Sequence, residues 1–165
     1  KADAVITKVS KLPIAVLTAD CAPILIYDHK ENMIAAIHAG WKGAFKGIVP
    51  KVINFMINKG CESNNMTAVI GPCISKESYN VKEDFKIKFL KKNKKKVIFF
   101  KKRKDTIYFD LPNYIKFQLK SMNISKIDMI NIDTFDKKNN FFSARQSLNS
   151  NHDDYGRNIS LIVIN

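Results

Sequence analysis

The chain has 165 residues, 45% of them apolar and 26% charged, which sets it apart from disordered chains and gives it the length for one domain with its own core. Its net charge of +13 is carried by lysines concentrated at 91–96 and 101–104, with no RRM, KH, helix-turn-helix or zinc-finger pattern beside them. This argues for a solvated basic face and against specific nucleic-acid recognition. No apolar run is long enough to cross a bilayer, so no membrane association is expected. Cys21, Cys61 and Cys73 are odd in number and lack C-x-x-C spacing, which fits a reducing, cytoplasmic setting.

In chain order, apolar β-rich runs predict strands at 14–18, 23–27, 33–38, 67–70, 97–100, 127–132 and 159–164. Between them, Phe45, Ile48, Val49, Val52, Ile53 and Met56 recur at helical spacing. Pro50 belongs in the first turn of such a helix, so the helix proper is expected near Val49, with Gly60 as its stop. Phe85, Phe89 and Leu90 predict a second helix that runs into the lysines. A third takes Asp110 as N-cap and Pro112 in its first turn, with Leu111, Ile115, Leu119 and Met122 along one face. No repeat and no Pro/Gly/Ser linker divides the chain. Strands and helices mix without strict βαβ alternation, so the expectation is a single α+β domain over 1–165.

The segment TADCAPILIYDHKENMIAAIHAGWKG, residues 18–43, carries the chemistry. Residues 28–32 are a polar break between PILIY and MIAAI, so an antiparallel hairpin should turn near Lys30, pairing residues whose numbers sum to about sixty. That brings Cys21 opposite the corner at His38 to Gly40. His29 lies at the turn, more than about 20 Å from Cys21 at about 3.3 Å per strand residue. A thiolate and an imidazole at the open end of a hairpin would supply two ligands of a zinc site with an open position. The same atoms suit a cysteine nucleophile with histidine as its base, or a small buried cysteine beside a hydrogen-bonded core histidine. On spacing alone all three remain open. Cys73, after the Gly-Pro turn of IGPCIS, is expected to pack in the core, and Cys61, after Gly60, to lie exposed in a loop. Trp41 could stack on a planar ligand or pack inside, packing being the commoner fate.

TADCAPILIYD with IAAIHAGWKG resembles the signature of the YfiH-like, laccase-domain family, also called multicopper polyphenol oxidase-like. KADAVIT, AVIGPCISKESYNV, FDLPNYIKFQL, DTFDKKNNFFSARQ and DYGRNISLI resemble further blocks of that family in order, so the likeness covers nearly the whole chain. It implies a layered α/β/β/α sandwich with mixed sheets, and a zinc site, copper being possible, at Cys21 and His38. It also implies phosphorolysis of adenosine, inosine and S-methyl-5'-thioadenosine, with adenosine deaminase activity besides. Purine nucleoside and phosphate are thus the expected partners. Laccase-like oxidation and a peptidoglycan-editing role are also attached to the family. Phenol oxidation by copper needs several coupled ions, for which 3 histidines in the whole chain are few.

The family takes its third metal ligand from a histidine in a Q-x-H block upstream of the KADA segment, and this chain starts at Lys1 in that segment. The likeness therefore implies N-terminal truncation relative to the family, leaving His152 as the remaining candidate ligand. A non-catalytic remnant or interaction module is the alternative reading. FFSARQ stands where many relatives carry a tyrosine and paired arginines, so Ala144 and Gln146 would weaken substrate grip. Phosphorolysis needs cations for phosphate, and Lys42, Arg145 and Arg157 are the candidates. Deamination needs a carboxylate to move protons. Asp20 is the nearest in sequence, provided that the chain bends there so that it and Cys21 share a face.

Overall fold

A computed structural model describes residues 2–152 and 155–165. Ala4–Thr7 (β1), Ile14–Thr18 (β2), Ala22–Asp28 (β3) and Met33–Ala39 (β4) are followed by two helices, Trp41–Lys46 (α1) and Ile48–Ile57 (α2). Met66–Ile70 (β5), Asn80–Val81 (β6), Glu83–Lys92 (α3), Phe100–Arg103 (β7) and Thr106–Phe109 (β8) come next. Leu111–Ser121 (α4), Lys126–Met129 (β9), Ala144–Asn149 (α5) and Asn158–Ile162 (β10) complete the chain.

The expected hairpin forms the centre. β3 and β4 pair antiparallel from Ala22 opposite Ala39 to Asp28 opposite Met33, one residue from the register expected. Both strands are buried nearly throughout, with Ile24, Ile26, Ala35, Ala36, Ile37 and Ala39 fully enclosed, because they lie inside a five-stranded sheet of order β1-β4-β3-β5-β9. β9 alone is parallel to its neighbour, β5. α2 and α4 pack on one face of the sheet, where Val49, Ile53, Met56, Ile115 and Leu119 meet the strands. On the other face lies a ribbon of β2 and β10, sealed by Ile14, Val16, Ile34, Ala36 and Ile164. Its outer side leaves Leu17, Ile159 and Leu161 exposed. The fold is mixed α+β in one domain, layered as helices, sheet and ribbon.

A three-stranded sheet, β6-β8-β7, stands beside the main one. Beside it, Phe85, Phe89, Phe100, Phe109 and Tyr114 pack edge to face or tilted, with centroids about 5–6 Å apart, a favoured geometry for quadrupolar rings. This aromatic block is the rigid wall behind the site.

The helix ends follow the sequence closely. Asp110 caps α4, its Oδ1 accepting from the Asn113 N–H at 3.1 Å, with Pro112 in the first turn. The helix expected to begin near Val49 begins at Ile48, and Gly47, at φ 81 in the left-handed region, closes a separate short helix, α1, that carries Phe45. One expectation is corrected. The strand expected at 97–100 begins only at Phe100. Lys94–Phe99 winds instead into a 3-10 turn capped by the Asn93 side chain, and Lys96 reaches the Tyr114 hydroxyl at 3.0 Å. No described helix is long and apolar enough to cross a membrane.

Candidate active site

Cys21 enters β3 directly after a bend. Asp20 has φ 75, left-handed backbone that a non-glycine residue adopts only when its surroundings hold it there. They do: Asp20 Oδ1 accepts from Thr134 Oγ1 at 2.8 Å, while Oδ2 accepts from Ser143 Oγ at 2.9 Å and from the Arg145 N–H at 2.6 Å. The carboxylate is buried and clamps the end of β2 to the start of α5. This is the bend that lets Asp20 and Cys21 line one cleft.

At the far end of β4, β1 holds Asp3 beside His38. The His38 N–H donates to the Asp3 carbonyl at 2.8 Å, and His38 Nδ1 lies 3.2 Å from Asp3 Oδ1. A carboxylate only accepts, so Nδ1 donates and the neutral ring keeps its free lone pair on Nε2. Gly40 separates His38 from Cys21. A Cβ built on Gly40 would stand 2.7 Å from Cys21 Sγ and 4.0 Å from His38 Nε2. The two donor atoms therefore converge on a space that only glycine leaves free. Burial, reinforced by the Asp20 and Asp3 carboxylates, pushes the Cys21 thiol from its ordinary 9.0 up to about 11. Without a cation the thiol is protonated at neutral pH.

The thiolate–imidazole pair, with a carboxylate behind the imidazole, is the donor set and outer support that zinc favours. It fits such an ion as two ligands, and no group of three His, Cys, Asp or Glu capable of holding a metal exists among the described residues. His152 is exposed, its N–H donating to the Ser147 carbonyl at 2.9 Å, and it lines neither cleft described below.

Cys21 and Asp20 open onto a small cleft of about 170 Å³ that joins a larger one of about 630 Å³. Trp41, Tyr79, Arg145 and Leu148 line both. Trp41 packs as the commoner expectation has it, with its ring centre 4.7 Å from that of Phe85, and it also lines both clefts. Arg145, in the first turn of α5, donates to the Asn80 carbonyl at 2.9 Å and to Asn80 Oδ1, with its guanidinium 5.3 Å from the Tyr79 ring centre. Lys82 and Lys88 add charge at the outer rim.

The other predicted cations stand apart. Lys42 is exposed, with Nζ 5.6 Å from the Trp41 ring centre, and lines neither cleft. Arg157 donates to the carbonyls of Tyr155 and Gly156 and stacks on Tyr155. Gln146 is spent on the Phe135 carbonyl, and Ala144 lines the small cleft. Cys73 is buried as expected. Cys61 is buried too, against the expectation of an exposed thiol: its N–H donates back to the Met56 carbonyl at 3.1 Å, turning the side chain inward to 3.6 Å from Met33 Sδ. Tyr79 carried no signal on its own in the sequence, since a lone tyrosine after a loop matches no spacing rule.

The fold and site define a known class: the chain belongs to the family described as multi-copper polyphenol oxidoreductase laccase, whose pattern spans residues 1–165. Among curated proteins, it is 32% identical to a purine nucleoside phosphorylase of Rickettsia conorii over 99% of this chain and 68% of that protein. Another purine nucleoside phosphorylase, from Bacteroides thetaiotaomicron, is 32% identical over 87% of this chain and 55% of its own length. The crystal structure of the YfiH protein of Bacillus licheniformis superposes with a TM-score of 0.88 at 25% identity, covering 99% of this chain and 61% of that one. The chain thus spans between 55% and 68% of the length of these relatives.

Proposed function

We propose that the chain is the greater part of a purine nucleoside phosphorylase that uses a zinc ion held by Cys21, His38 and one further ligand. Adenosine, inosine and S-methyl-5'-thioadenosine are its substrates. The observation that carries this reading is the convergence of Cys21 Sγ and His38 Nε2 over Gly40, beside an aromatic cleft whose volume suits a nucleoside. The names of the relatives supply the reaction.

In phosphorolysis a phosphate oxygen forms a bond to the anomeric carbon as the carbon–N9 bond breaks. The bonding pair leaves with the purine, which takes up a proton. Bound zinc would supply positive charge next to the reacting atoms. The chain's own residues do the remainder. Trp41 and Leu148 exclude water and face the base, as a flat apolar wall does for a π-system. Arg145, whose planar fork matches two phosphate oxygens, exchanges Asn80 for the anion. Asp20 acts as a positioning residue, holding the Arg145 N–H and the bend before Cys21. With its oxygens so engaged, Asp20 is a clamp and not the proton shuttle of a deamination. Lys42 and Arg157 take the role of surface charge, and copper the role of a substitute ion.

The alternative is a non-catalytic remnant or interaction module, in which Cys21 and His38 hold no ion. The test is base release from inosine with and without inorganic phosphate. Release that requires phosphate, with Arg145→Ala raising the phosphate KM roughly tenfold, supports the enzyme. Absence of release from a zinc-loaded protein supports the remnant.

A further inference from the structure

The cleft wall contains a polar group with no structural employment. Tyr79 is only 9% exposed, with its ring held edge-on against Phe85 and Phe109 at 6.4 and 6.0 Å between centroids. Its backbone carbonyl is used, accepting from the Phe109 N–H. Its hydroxyl makes no hydrogen bond to any described residue. Nor is that oxygen shut away, because the one enclosed polar side-chain atom without a partner among the described residues is Gln118 Oε1. A buried ring with an unpaired but reachable hydroxyl, on a residue that lines both joined clefts, offers a donor to a ligand bound there.

We infer that the Tyr79 hydroxyl is the hydrogen-bond donor that grips the purine base in this cleft and sets the preference for purines; the inference rests on the nucleoside reading above. Three features direct it to the base. Tyr79 and Trp41 line the same two clefts, so a ring stacked on the indole presents its edge acceptors to the surrounding wall. The phenol is neutral, whereas the Arg145 guanidinium in the same clefts is the group whose charge suits a sugar phosphate. Burial holds the phenol well above its ordinary ionisation range, with Arg145 opposing and Cys21 and Asp20 adding to the rise, so it remains a donor at neutral pH. As the purine leaves with the bonding pair, its ring acceptors gain negative charge. A fixed donor there binds the departing base more strongly than the ground state.

The chain has a single tryptophan, Trp41, and it faces this cleft, so its fluorescence reports occupancy without any need for turnover. The experiment titrates inosine, hypoxanthine and ribose 1-phosphate into wild type and Tyr79→Phe, with the melting temperature of each recorded. The expected result is a Kd for inosine and for hypoxanthine raised roughly tenfold in Tyr79→Phe, an unchanged Kd for ribose 1-phosphate, and an unchanged melting temperature. Equal hypoxanthine affinity in the two proteins overturns the assignment and leaves the nucleoside reading standing. Weakened inosine binding with unchanged hypoxanthine binding also overturns it, since the phenol would then serve the sugar. If neither inosine nor hypoxanthine changes the fluorescence of the wild type, the purine reading and the Tyr79 assignment fall together. If Tyr79→Phe melts lower, Tyr79→Leu serves as the control for packing: an inosine Kd equal to wild type in that variant overturns the assignment.

Discussion

The two ends of the β3–β4 hairpin carry the same kinds of side chain and use them in opposite ways. At the closed end Asp28 is fully buried and its oxygens accept from the N–H groups of Lys30, Glu31 and Glu62, while His29 Nδ1 meets the Asn65 carbonyl at 2.7 Å. Cys61 packs against Met33. A carboxylate, an imidazole and a thiol there are consumed by the turn itself. At the open end, Asp3 orients His38 and the bend at Asp20 sets Cys21, but Cys21 Sγ and His38 Nε2 face a gap that Gly40 keeps open. A ligand site is recognised less by which residues gather than by which of their donor atoms the fold leaves free.

Substitutions sharpen this contrast. Cys21→Ala should abolish zinc retention and reduce base release by roughly 100-fold or more, with little change in melting temperature. Zinc content and initial rates check it, and a variant as active as wild type would break the assignment. Gly40→Ala should act in the same direction, since its Cβ would crowd the sulfur at 2.7 Å; zinc content reads this as well. At the opposite end, Asp28→Ala leaves three N–H groups unpaired and should cost about 3 kcal/mol in urea unfolding without changing zinc stoichiometry. Asp3→Ala should weaken zinc roughly tenfold yet shift unfolding by less than about 1 kcal/mol, its contact with His38 being at the surface. Competition with a chelator measures the first, denaturant melts the second.

The smallest effect is invisible at neutral pH. Burial first, and then Asp28, push the Cys61 thiol from 9.0 to about 11. The unfolded chain loses that proton near 9 while the folded chain keeps it, so the contribution to stability is complete below pH 9 and is lost as pH rises through about 11. Melting temperatures across that window should fall more in wild type than in Cys61→Ala. In the native protein a thiol reagent should reach half-buried Cys21 before Cys61 and Cys73, and zinc should slow that first reaction.

Much of this was legible in the residues because it depends on local chemistry. The polar break before Met33 set the hairpin register to within one residue, and Asp110 with Pro112 announced the start of α4. Family likeness added the layered fold, and the proposed reaction rests on it. What escaped depends on distant parts of the chain. Phe45 shares the apolar periodicity of α2 yet belongs to a separate helix that Gly47 closes. Cys61 sits in polar sequence and is buried because the chain folds back on Met56. Asp20 meets partners more than a hundred positions away, at Thr134, Ser143 and Arg145, so its role as a clamp follows from the fold and not from its neighbours. Tyr79 gains meaning only once Trp41 and Arg145 line the same cleft.

The central claim is that the free donors at the open end of the hairpin hold a metal ion. Titration of cobalt(II) into the metal-free protein, followed by absorption, tests it directly because a cobalt–thiolate bond has its own charge-transfer band. The account predicts that band in wild type and its loss in Cys21→Ala. No band in wild type, or the same band in both proteins, would contradict it.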